Sequence, residues 1–103
     1  MKKLSFFLIV FMVSNLSAQT LSQYKKEKIV FETDTLNYRI LKPLNYNPDK
    51  QYPVHLFLHG SGERGNDNES QLVHGAKLFL KKENREQFNS WVVFPQAPKK
   101  DWW

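Results

Sequence analysis

His59-Gly60-Ser61-Gly62-Glu63-Arg64-Gly65 is the stretch whose residue types and spacing carry the most chemistry, and it follows directly on the apolar run 54–58. A buried strand that empties into glycines brings backbone N–H groups to the edge of a sheet, where ligands bind in α/β proteins. Gly60 and Gly62 permit the positive φ angles and close approach that such a loop needs. A serine inside the loop also raises the question of a nucleophile. The Gly-x-Ser-x-Gly turn that presents an activated serine fails here at its first glycine, where His59 stands. The acids between Ser61 and His74 (Glu63, Asp67 and Glu69) are too close in sequence to come from separate strand ends. Ser61 is therefore not read as a nucleophile.

Three histidines invite a metal reading, which their spacing does not support. His55 and His59 lie four apart, about 13 Å on an extended strand, and no carboxylate or histidine stands at a recognised zinc spacing. Histidines satisfied by backbone groups are expected instead, with His59 bracing the loop. Arg64 has the fork to hold a substrate carboxylate bidentately; the competing reading is an ion pair with Glu63 that stiffens the loop. Trp102 and Trp103 suit either a cleft wall for an aromatic or sugar group or ordinary core packing.

The elements that must position this loop follow from periodicity. Residues 28–32 and 36–41 are strand-like, and Leu36, Tyr38 and Ile40 alternate with Asn37 and Arg39. Thr33-Asp34-Thr35 between them predicts an antiparallel hairpin. Residues 42–53, with three prolines, two asparagines and an aspartate, form a surface loop. Residues 54–58 and 91–94 are nearly continuous apolar runs, as in parallel strands covered on both faces; Pro95 closes the second. Leu72, Ala76, Phe79 and Leu80 recur at helical spacing, with Asn68 and Gln71 placed as an N-cap and its reciprocal partner. Gly75 weakens that helix by about 1 kcal/mol relative to alanine, which makes it a point of breakage. Residues 83–88 suggest a second short helix. The order is a hairpin followed by a βαβ unit.

Lys2 and Lys3, then the apolar run 6–13 and a small Ala18, have the form of a leader at residues 1–18 cleaved before Gln19. A spanning helix needs about 20 apolar residues, so no stable membrane anchor is expected and the product is exported. The absence of cysteine excludes a disulfide framework and a lipid-anchoring thiol. Fifteen Lys and Arg against ten Asp and Glu give +5, which becomes +3 when Lys2 and Lys3 leave with the leader. The signs are interspersed and no recognition module is present, so a nucleic-acid partner is not expected. An end at Asp101-Trp102-Trp103, with two large apolar side chains and no polar tail, reads as an interrupted sequence.

The run from His59 to Gly65, then Asp67-Asn68-Glu69 and Phe94-Pro95-Gln96-Ala97-Pro98, resembles the α/β-hydrolase superfamily. Within it, the chain is similar to exported bacterial esterases and predicted peptidases related to the dienelactone-hydrolase and polyhydroxybutyrate-depolymerase groups. The loop is similar to the HGGG-type oxyanion loop of lipases and esterases. The resemblance implies an α/β fold: the N-terminal, incomplete part of an α/β-hydrolase domain over residues 19–103, with the hairpin leading into the parallel βαβ unit. It implies that the Ser61 N–H is one oxyanion donor, that Gly60 and Gly62 shape the loop, and that serine, acid and histidine lie beyond residue 103. An ester or an esterified saccharide is the implied substrate, with no cofactor or metal and with the rest of the domain as partner. The alternative is a small exported, non-catalytic module that binds a sugar or peptide through the glycine loop and the two tryptophans.

Overall fold

The computed structural model describes residues 21–103; the leader expected at residues 1–18 and its cleavage site lie outside them. Strands β1 (Lys25–Phe31) and β2 (Asp34–Leu41) pair antiparallel, from Phe31 opposite Asp34 to Lys25 opposite Ile40. The connection is therefore the two residues Glu32-Thr33, while Asp34 and Thr35 belong to the ladder. Glu32 takes a φ of 52°, the left-handed geometry that closes a turn this short.

Strands β3 (Val54–Leu56) and β4 (Trp91–Gln96) complete a four-stranded sheet in the order β1-β2-β4-β3. β4 runs antiparallel to β2 and parallel to β3, so the hairpin does lead into a parallel βαβ unit. Pro95 does not end β4 but sits within it, opposite Tyr38. The β3 ladder has stopped by then, its last rung running from Phe57 N–H to the Val93 carbonyl, so the missing proline N–H breaks no rung on that side.

The crossover is more broken than helical periodicity suggests. It consists of 3₁₀ turns at Ser61–Glu63 and Ser70–Leu72, then helices α1 (Ala76–Leu80) and α2 (Lys82–Gln87). The break falls at Gly75, with φ at 85°. A Cβ there would lie 2.8 Å from the Phe57 ring, so both backbone and packing require glycine. Asn68 caps no helix: Asp67 Oδ1 accepts from the Glu69 and Ser70 N–H groups instead.

The helices cover one face of the sheet only. Leu41, Val92 and Phe94 meet Tyr24, Leu72 and Ala76 there, with Phe57, Phe79 and Leu80 packed around them. The other face carries Leu36, Tyr38, Leu56, Leu58, Val93, Pro95 and Trp103, which line an open apolar groove. Alternation along β2 is as the sequence suggests, but its burial is reversed. Arg39 faces the helices and is 7% exposed, whereas Leu36, Tyr38 and Ile40 are only half-buried on the open side.

Candidate functional site

The glycine loop leaves the carboxyl end of β3 and is held against the carboxyl end of β4, which supplies four hydrogen bonds from two consecutive residues. Ala97 N–H donates to His59 Nε2 at 2.9 Å, and Gly65 N–H donates to the Ala97 carbonyl at 2.9 Å. The Gln96 amide donates to the Glu63 carbonyl at 3.0 Å and to Asp67 Oδ1 at 2.7 Å. Both ends of the loop are thus clamped to one strand end.

His59 is buried and uses both ring nitrogens. A backbone N–H can only donate, so Nε2 carries the lone pair and Nδ1 carries the proton. Nδ1 then donates to the Gly60 carbonyl at 2.6 Å, which also accepts from Glu63 N–H at 3.3 Å. The Ser61 N–H donates to no atom among the described residues, and Ser61 itself is exposed.

Gly60 and Gly62 serve the loop differently from the expectation. Gly60 is extended, with φ at −80° and ψ at 180°, a geometry open to any residue, and the positive-φ glycines are Gly65 and Gly75. A Cβ on Gly62 would meet nothing within 4 Å, and one on Gly60 would only reach ordinary contact with the Glu63 carboxylate. Their bareness leaves the outer side of the loop open; the strained turn is made at Gly65, with φ at 153°.

Arg64 spends its donors within the chain. Nε reaches the Ser61 carbonyl and Nη1 the Lys99 carbonyl, each at 2.9 Å, while the guanidinium lies 3.8 Å from the centre of the Trp102 ring. Glu63 is paired not with Arg64 but with the exposed His74, at 3.2 Å. Trp103 stands edge-on to the His59 ring at 5.2 Å and lines the apolar groove. His55 lies four residues back on β3, bonded to the Ser90 hydroxyl at 2.8 Å. No group of three metal-ligating side chains occurs among the described residues.

Beneath the loop runs a buried polar chain that sequence reasoning did not assemble. Asn68 N–H donates to Gln96 Oε1, and the Asn68 side chain donates to the carbonyls of Tyr38 and Glu27. Gln71 donates to Asn68 Oδ1 and to the Phe94 carbonyl. Arg39 closes the chain, donating to the carbonyls of Tyr24, Asn68 and Leu21; burial lowers its pKa, with Glu69 opposing. Asp67, at the surface end, is held well below the usual carboxylate range by the Ser70 hydroxyl, then by Gln96 and two backbone N–H groups. Asn68 and Gln71 three residues apart were the available signal, but that spacing reads as a helix cap when no tertiary partner is visible.

This geometry can present a backbone donor, fixed in direction and open on one side, at the carboxyl edge of a parallel strand. No protein-family model matches the chain, and no curated protein does. Among solved structures, it is similar to one described as a thermostable esterase, with a TM-score of 0.74 and 30% identity. The match covers 82% of this chain and 24% of the esterase. The mixed sheet is that of a hydrolase-like α/β fold, and the chain spans about a quarter of the esterase's length.

Proposed function

We propose that this chain is the N-terminal part of an exported serine hydrolase acting on carboxylic esters, in which the loop supplies an oxyanion donor and other segments supply the triad. The observation that carries this reading is the 30% identity to an esterase across 82% of the chain. The loop chemistry agrees with it. A carbonyl under attack gains negative charge on oxygen, and a preorganised N–H aimed at that oxygen stabilises it without reorganising at the moment of reaction. The free Ser61 N–H, on a loop clamped at both ends by β4, meets that description. Among the described residues no base is hydrogen-bonded to the Ser61 hydroxyl: the Asp67 carboxylate is occupied by Ser70 and Gln96, both His59 nitrogens are engaged, and His74 pairs with Glu63. Small carboxylic esters, including esterified saccharides, are the substrate class, and the leader at residues 1–18 directs export.

Labelling with a fluorophosphonate probe tests the reading. The chain alone should not be labelled above background. A hybrid in which it replaces the matching segment of the thermostable esterase should be labelled and should hydrolyse p-nitrophenyl acetate. Labelling of the chain alone that disappears in Ser61→Ala would make Ser61 the nucleophile and overturn the assignment.

A further inference from the structure

We infer that His59 is a positioning residue for the Ser61 amide, and that the Ala97 N–H sets it to this task by fixing its tautomer. The consequence for catalysis rests on the oxyanion reading above; the geometry does not. The Gly60 carbonyl and the Ser61 N–H belong to one planar trans peptide, so they point in opposite directions. Whatever holds the carbonyl therefore aims the N–H. The carbonyl is held by His59 Nδ1–H at 2.6 Å and by Glu63 N–H at 3.3 Å, which turns the Ser61 N–H away from the buried imidazole.

Two further points make His59 more than a packing residue. Its Nδ1 can donate only while Nε2 is the unprotonated nitrogen, and Ala97 N–H at 2.9 Å enforces that state. The chain Ala97 N–H, imidazole, Gly60 carbonyl is also head-to-tail, so each hydrogen bond polarises the next and makes the Ser61 N–H a better donor. Glu63 N–H alone, a single bond at 3.3 Å from three residues along the same loop, would leave the peptide plane freer to rock.

The test reads the ring directly. Nitrogen-15 spectra of the histidine-labelled full chain, in solution or by magic-angle spinning if it associates, should show His59 as the neutral Nδ1–H tautomer. Free histidine prefers the opposite one. In His59→Ala, the Gly60 and Ser61 N–H order parameters should fall from about 0.85 to below about 0.6 while the β4 amides stay rigid. His59→Asn, which keeps a donor near the Nδ1 position, should restore them. An Nε2–H tautomer, an unchanged Ser61 in His59→Ala, or a loss of rigidity that spreads through β4 would each overturn the positioning role. These readouts do not depend on hydrolysis. An unlabelled, inactive hybrid whose His59 is the Nδ1–H tautomer would retire the esterase reading and leave this one standing.

Discussion

A single carboxylate shows how tightly the loop is tied down. Asp67 is exposed, yet four donors converge on it: the Ser70 hydroxyl, the Gln96 amide, and the backbone N–H groups of Glu69 and Ser70. Those donors favour the charged form, so its pKa is depressed below the ordinary 3.8. A depressed carboxylate contributes stability that is present above its unfolded pKa and is lost as pH falls through its folded value. Asp67→Asn should therefore destabilise the protein at pH 7 and flatten the decline of stability below about pH 4. Chemical denaturation across that range checks it; parallel wild-type and variant curves would show that the donors do not read the charge. At this scale the sequence was legible where a residue type has one use, as with Gly75 at the break. It was opaque for Gln96, whose three hydrogen bonds to Glu63, Asp67 and Asn68 join residues 28 to 33 positions away.

Strand β2 shows what element-level reading can and cannot see. Alternation correctly separated Leu36, Tyr38 and Ile40 from Asn37 and Arg39, because side chains on a strand repeat every two residues. It could not say which set would be covered, since that depends on where the crossover helices settle. They settle on the Arg39 side, and the guanidinium is accommodated by three carbonyls from Leu21, Tyr24 and Asn68. Arg39→Leu removes the donors and leaves the buried Tyr24 and Asn68 carbonyls without this partner, while the Leu21 carbonyl keeps the Tyr24 N–H; each buried group stranded costs about 1–3 kcal/mol. The expected outcome is a loss of about 2–4 kcal/mol, and Arg39→Lys should recover only part of it because an ammonium lacks the planar fork. A denaturant midpoint unchanged in Arg39→Leu would mean that the carbonyls find water instead. The same blindness placed the hairpin turn at 33–35 rather than 32–33, because Asp34 and Thr35 look like turn residues until their pairing with Phe31 and Val30 is seen.

For the molecule as a whole, the order hairpin then parallel βαβ unit was readable from sequence; which face the single crossover would leave open was not. Val54 and Leu56 on β3 are 63% and 62% exposed, and β3 has no second strand partner among the described residues. An apolar face beside an open strand edge favours association. The chain alone should bind a hydrophobic dye and self-associate, and Leu56→Lys should reduce both; a monomeric, dye-silent chain with a sharp melt would contradict this. The proposed hydrolysis belongs to the assembled fold, and the Ser61 amide is where that proposal can be examined. Gly60 is extended, the geometry a residue before proline prefers, so Ser61→Pro can be accommodated while deleting the N–H. The decisive measurement is kcat/KM for p-nitrophenyl acetate in the esterase hybrid carrying each Ser61 variant. Ser61→Ala should stay close to wild type, because alanine keeps the donor. Ser61→Pro should lose on the order of 10²–10³, about 3–4 kcal/mol of transition-state stabilisation, with the hybrid still folded. Equal activity in the two variants would show that the Ser61 N–H is not an oxyanion donor and would contradict the account.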